Sequence, residues 1–208
     1  MKLGIEKTKH AMRWMKRLCE DFGEEKGRDI LEKADDIFEK LCSGNGSDTR
    51  ELKEHTEKVI YPVMALYKAL CEYCDSQGNA LNFTAKYFFE SVEMQARTLR
   101  SFINAGKSAE SFPGVFIRQM TKDYSEKAGF RMKIITDEKS NARFDILECP
   151  YEKTTKKYNC TELCDLFCKS DEMCYSGISP ELHWKREHTL VKDNDYCDFS
   201  LEYKENDK

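Results

Sequence analysis

Apolar positions recur every three or four residues through the first 128 positions of the chain. Ala11, Met15, Leu18 and Phe22 form one such stripe, and Ile30, Ala34, Ile37 and Leu41 form the next. Gly23, followed by the acidic pair Glu24 and Glu25, predicts a stop and a fresh helix start between the two. Ser43-Gly44-Asn45-Gly46-Ser47-Asp48 is the clearest loop, with Ser47 or Asp48 placed to cap the helix that follows. That helix carries Leu52, His55, Thr56 and Val59. Pro62 suits the first turn of another, bearing Val63, Tyr67, Leu70 and Cys74. Helices are also expected around Phe83 to Ala105 and through Phe112, Phe116, Met120 and Tyr124, and no internal repeat is visible.

From Phe130 the period falls to two. Phe130, Met132 and Ile134 alternate with Arg131 and Lys133, which predicts a strand half open to water. Asp137 to Asn141 reads as a turn and Arg143 to Cys149 as the returning strand of a hairpin. Pro150 ends it and a helical region follows. The last two strands are expected at Glu181 to Leu190 and Tyr196 to Tyr203, joined by Lys192-Asp193-Asn194-Asp195. This order defines an α+β fold in a single domain over residues 1–208. Its helix-rich N-terminal two-thirds (1–128) packs on a small antiparallel sheet of about four strands (129–208), with one or two helices inserted between the strand pairs.

Composition narrows the function classes. The 208 residues are enough to bury a core, and 2 Trp, 10 Tyr and 12 Phe argue against disorder. Lys plus Arg (34) against Asp plus Glu (38) leaves −4 with no basic stretch, so nucleic acid is not an expected partner. The longest apolar run, Val59 to Tyr67, is interrupted by Pro62 and falls well short of the roughly 20 residues that cross a bilayer. No membrane partner is expected. The charged N-terminus has no apolar leader core, so the reducing cytoplasm is the expected compartment, where the ten cysteines are expected to stay thiols. Nothing in the composition selects an oligomeric state.

Those cysteines are unevenly spread. Cys19, Cys42, Cys71 and Cys74 are scattered, whereas Cys149, Cys160, Cys164, Cys168, Cys174 and Cys197 cluster near the C-terminus. Cys160, Cys164, Phe167, Cys168, Asp171, Cys174 and Tyr175 fall on one face of a predicted helix. Cys and aromatics make an ordinary buried face, but Asp171 does not belong in one without a partner. It either pairs at the edge of the face or serves as an acid/base in a Cys-lined pocket. Metal binding is the competing use of the thiols. Cysteines four residues apart climb a helix by about 6 Å per step, so three from one straight helix do not converge on one ion. No cofactor is therefore expected; the alternative is Zn or Fe held by Cys149, Cys164, Cys168 and Cys197. In the third strand, Leu182, Trp184, Arg186, His188 and Leu190 share a face. An inward Arg186 seeks a carboxylate: Asp171, Asp145 or one on a ligand. Cys197 points to the core at the mouth of a turn, as packing or as a pocket thiol.

Several of these segments carry a resemblance. Arg143-Phe144-Asp145-Ile146-Leu147-Glu148-Cys149-Pro150-Tyr151, then Glu162-Leu163-Cys164 through Cys168 and Asp171, resemble the L-2-amino-thiazoline-4-carboxylic acid hydrolase family. So do Arg186-Glu187-His188-Thr189-Leu190 and Asp195-Tyr196-Cys197-Asp198-Phe199, with weaker matches at Phe22 to Glu25 and Tyr61 to Tyr67. The chain departs from the family at Asp193, where a Gly is usual, and in its extra helical cysteines. The closing strands are more loosely similar to small-molecule domains of the 4-vinyl reductase and haem nitric-oxide-binding type.

The family resemblance implies a hydrolase that opens a small cyclic amidine carboxylate to an N-carbamoyl amino acid such as N-carbamoyl-cysteine. Cys168 or Cys149 is then expected as nucleophile or pocket thiol and Asp171 as acid/base. Arg186 would clamp the substrate carboxylate with Thr189 hydrogen-bonding, and Cys197 and Asp145 would line the substrate site. The alternatives are a non-catalytic small-molecule sensor with a Cys- and aromatic-lined pocket, or the Cys–metal protein already described.

Overall fold

Gly23 adopts φ +85°, a conformation that costs a residue without a side chain little, and it separates helix α1 (Trp14–Phe22) from α2 (Glu24–Ser43). The acidic pair Glu24 and Glu25 occupies the first turn of α2, where the helix dipole favours negative charge. α1 buries Trp14 and Leu18, and α2 buries Ile30, Leu31, Ala34 and Leu41. Both belong to the first of two compact units into which the chain divides, Met1–Ser91 with Thr154–Leu163. The second is Val92–Lys153 with Cys164–Lys208. Along the helical region the division falls at residue 91, not at the change of period at 128. The structure, a computed structural model, describes residues 4–106, 108–192 and 195–205. Asp193 lies outside the described residues.

Within the first unit, α3 (Arg50–His55) is capped by Thr49, whose side chain accepts the Leu52 amide at 3.1 Å. The cap thus falls one residue beyond Asp48 and two beyond Ser47, the two expected positions, and the Asp48 amide closes the preceding turn on the Asn45 carbonyl. A π-helical stretch, Thr56–Ile60, leads into α4 (Tyr61–Tyr73), with Pro62 in its first turn. Proline has no N–H to give and its ring crowds the carbonyl four residues back, which a widened turn relieves. α4 is buried almost all round, as expected for the central helix of its unit. α5 (Gln77–Gly106) supplies its first half to this unit and its second half to the other. No described helix is long and apolar enough to cross a membrane.

The second unit is α+β. In chain order it holds α6 (Phe112–Asp123), β1 (Arg131–Asp137), β2 (Asn141–Glu148), the start of α7 (Pro150–Lys157), α8 (Glu162–Tyr175) from Cys164 onward, β3 (Leu182–Lys185) and β4 (Cys197–Tyr203). The four strands form one sheet in the order β1-β2-β4-β3, antiparallel throughout. Phe144 and Ile146 of β2 stand opposite Phe199 and Cys197 of β4, and all four are buried on the face that meets α6 and α8. Phe116 of α6 contacts Phe144 at 5.8 Å between ring centroids and Trp184 at 6.0 Å. The hairpin turn closes through the Glu138 amide on the Asn141 carbonyl, and the Gly114 amide holds the Lys139 carbonyl at 3.1 Å.

β3 departs from its predicted extent. The ladder ends at Lys185 opposite Ser200 instead of running to Leu190. Beyond it the amides of Glu187 and His188 both bond the Asp198 carboxylate, so the backbone leaves the sheet and the two-residue alternation breaks. Thr189 is consequently buried, and the His188 side chain, expected inward, is 43% exposed.

Gly27 permits the close approach of α1 and α2: a Cβ there would stand 2.7 Å from the Cys19 nitrogen and Leu18 carbonyl carbon. In an open helix Gly→Ala gains up to about 1 kcal/mol, whereas forcing two backbones apart costs about 1–3 kcal/mol. Gly27→Ala is therefore expected to destabilise by about 1–2 kcal/mol in denaturant unfolding, opposite in sign to the propensity effect.

Candidate active site

α8 presents one stripe of reactive side chains. Leu163, Cys164, Leu166 and Phe167 are buried, and Cys168, Asp171, Cys174 and Tyr175 continue that helix in half-buried positions. Spacings of three and four keep Cys168, Asp171 and Tyr175 in line. Asp171, which the sequence left either paired or catalytic, has a partner. Arg186, entering from the segment that leaves β3, donates from Nη1 to Asp171 Oδ2 at 3.0 Å and from Nη2 to the Cys168 carbonyl at 2.7 Å. Its side chain is 8% exposed and its guanidinium lies 5.4 Å above the Phe199 ring. Phe199 is fixed in turn by stacking on Phe144 at 4.9 Å. Asp171 Oδ1 carries no partner among the described residues, and the side chain keeps 25% exposure.

The electrostatics follow from burial acting against these contacts. Removal from water raises the Asp171 carboxyl to about 6, and the Arg186 charge and hydrogen bond oppose the rise without cancelling it. The three candidate thiols diverge. Cys149 sits just before Pro150 at the start of α7, where the Glu152 and Tyr151 amides favour a thiolate, yet burial outweighs them and pushes it well up. Cys197 accepts the Leu190 amide at 3.2 Å but is still raised to about 11, again by burial. Cys168 moves the other way. A hydrogen bond from Cys164, one helical turn back, holds it below the ordinary thiol range, with the Arg186 charge assisting against burial and Asp171. Charge on Cys168 or Cys197 is felt at Cys149, and charge on Cys168 at Cys197, so the three share one neighbourhood.

Thr189 is buried beside Leu190, the residue tied to Cys197, and its carbonyl accepts the Lys192 amide. Asp145 stands apart from this group. It lies between the core-facing Phe144 and Ile146, so it projects from the opposite face of the sheet, in register with Asp198 and Lys133. Among the described residues no group of three or more His, Cys, Asp or Glu is placed to hold a metal ion, and all ten cysteines are free thiols.

Three tyrosines complete the surroundings and were not assigned a role from the sequence. Burial raises the phenols of Tyr124, Tyr151 and Tyr175 far above their usual range, and in each the Asp171 charge adds to it. Tyr124 stacks on Phe130 at 4.4 Å, Tyr151 meets Phe167 at 5.1 Å, and Tyr175 lies against Phe116 at 4.9 Å and Trp184 at 5.1 Å. The available signals were the spacing of Tyr175 four residues after Asp171 and of Tyr151 two after Cys149.

Fold and site together define an α+β protein whose thiol, carboxyl and guanidinium groups meet against an aromatic wall. The family to which it belongs is that of L-2-amino-thiazoline-4-carboxylic acid hydrolase, whose sequence profile matches residues 53–201. No curated protein matches the chain. Among solved structures, the Fe(II) unliganded H-NOX protein from K. algicida aligns over 99% of this chain and 98% of its own, at 15% identity and a TM-score of 0.34.

The divergence of the three thiols has a direct readout. In a time course of iodoacetamide labelling near neutral pH, followed by peptide mass spectrometry, Cys168 is expected to be modified before Cys197 and Cys149. Earlier labelling of Cys149 would contradict the electrostatics described.

Proposed function

We propose that the protein opens the ring of a small cyclic amidine carboxylate by hydrolysis, giving an N-carbamoyl amino acid, with Cys168 as nucleophile and Asp171 as acid/base. The observation that carries this reading is a depressed thiol and a raised carboxyl one turn apart on α8, with Arg186 bonded to that carboxyl and to the Cys168 backbone carbonyl. Family membership supplies the substrate class.

In this reaction Asp171 Oδ1 accepts the Cys168 proton as the sulfur adds to the amidine carbon. The ring carbon–sulfur bond then breaks, its electron pair goes to the ring sulfur, and the proton passes from Asp171 to that sulfur. Water next adds to the same carbon. The bond to Cys168 breaks with its electron pair returning to the enzyme sulfur, and the carbon is left as a urea carbonyl. Of the two water protons, one ends on Cys168 and one on the amidine nitrogen, so one water is consumed and nothing is oxidised. Arg186 keeps Oδ2 of Asp171 engaged, which leaves Oδ1 as the working oxygen. Its N–H groups not used by Asp171 and the Cys168 carbonyl are the donors for the substrate carboxylate, with Thr189 nearby. Cys149 and Cys197 are pocket thiols in this scheme, since both are held protonated.

The aromatic wall favours a second reading, a pocket that binds its ligand without turnover. The two part on one measurement. If the site is catalytic, Asp171→Asn lowers kcat for formation of N-carbamoyl-cysteine from 2-amino-thiazoline-4-carboxylate by about 10²–10⁴, and Cys168→Ser has a comparable effect. Folding should be retained in both. Because the base must be ionised, kcat/KM should fall below an apparent pKa near 6 as the solution is acidified. Full activity of Asp171→Asn would remove Asp171 from the mechanism, and binding without any turnover by the unaltered protein would leave the sensor reading.

A further inference from the structure

Nucleophile and base account for two of the three demands of ring opening. The third is a group that steadies the sulfur while it gathers the electron pair of the breaking bond. On α8 the stripe that begins with Cys168 and Asp171 continues, one turn further on, to Tyr175. Side chains on a helix lean toward its N-terminus, so the Tyr175 ring lies over the turn that carries Asp171. The ring is held between Phe116, at 4.9 Å and nearly edge-on, and Trp184, at 5.1 Å. Its hydroxyl makes no hydrogen bond among the described residues, and Asp171 Oδ1, one turn away, makes none either. A donor and an acceptor one turn apart on the same stripe are thus left unengaged among the described residues, and the Asp171 charge is felt at the Tyr175 phenol.

We infer that Tyr175 is a third catalytic group, its phenol donating a hydrogen bond to the ring sulfur of the substrate as the carbon–sulfur bond breaks. This rests on the ring-opening reading above. The phenol acts as a donor and keeps its proton: burial and the adjacent Asp171 charge both oppose its ionisation. The proton that ends on sulfur is the one Asp171 took from Cys168. Tyr124 and Tyr151 feel the same carboxylate, but they come from α6's end and the start of α7 and have other interactions of their own. Tyr175 alone shares the helix stripe with the nucleophile and the base.

Tyr175→Phe tests this, because the ring that packs on Phe116 and Trp184 is kept and only the hydroxyl is lost. With 2-amino-thiazoline-4-carboxylate as substrate, kcat is expected to fall about 10²-fold, the lower end of what a lost transition-state donor costs, while KM stays within about threefold. The thermal midpoint should be unchanged. A leaving-group comparison adds a signature that a purely structural role would not produce. With the 2-amino-oxazoline analogue, whose departing oxygen holds negative charge less well than sulfur, the loss on Tyr175→Phe should be larger still. Equal losses on the two substrates, or a kcat within twofold of the unaltered protein, would overturn the role of Tyr175 and leave the ring-opening reading standing. Absence of thiazoline turnover by the unaltered protein would instead strike the reaction itself, and the inference would go with it.

Discussion

A guanidinium only 8% exposed must find acceptors, because an unpaired charge withdrawn from water costs several kcal/mol. Arg186 finds two on α8, the Asp171 carboxylate and the Cys168 carbonyl, and much of the second unit is arranged around that demand. The chain leaves the sheet after Lys185, where the Asp198 carboxylate takes the Glu187 and His188 amides, and from that departing segment the Arg186 side chain reaches the helix. Phe199 lies beneath the guanidinium and is itself stacked on Phe144, which sets β4 and β2 under the same point. The arginine also restrains Asp171, whose carboxyl burial alone would lift beyond about 6.

The site therefore works by a balance of desolvation and pairing. Four acidic groups in one small region, three thiols and a carboxyl, are subject to the same burial, and they separate because their immediate donors differ. Cys149 and Cys197 each receive backbone amides, which do not offset their loss of water. Cys168 receives a neighbouring thiol and stands near the arginine, which does. A thiol shifted down and a carboxyl shifted up then stand three residues apart on one helix.

Much of this was legible in the sequence, for reasons that are local. The helix break at Gly23, the hairpin from Arg131 to Glu148 and the Cys168–Asp171 face all follow from period and from the conformational freedom of single residues. Asp145 could also have been placed, since it alternates with Phe144 and Ile146 and so had to face away from them. What could not be read locally was the end of β3. Strand alternation continues smoothly through His188 in the sequence, and only the Asp198 side chain, ten residues further on, interrupts it. The tyrosines were hidden for another reason. At helical spacing an aromatic ring reads as core, and whether its hydroxyl is spent or free depends on neighbours brought from other elements.

Carrying the thiol, carboxyl and phenol on one helix makes α8 a ruler. Over the seven residues from Cys168 to Tyr175 the axis rises about 10 Å, and the backward lean of the long tyrosine brings its ring over the turn that carries Asp171. In the ring-opening reading a substrate would be gauged by its length along the helix, whereas its width would be met by residues of other elements, Phe199, Trp184 and the arginine segment. Chains that keep the stripe and change those walls could take broader or narrower rings while their reacting atoms stay at the same graduation marks.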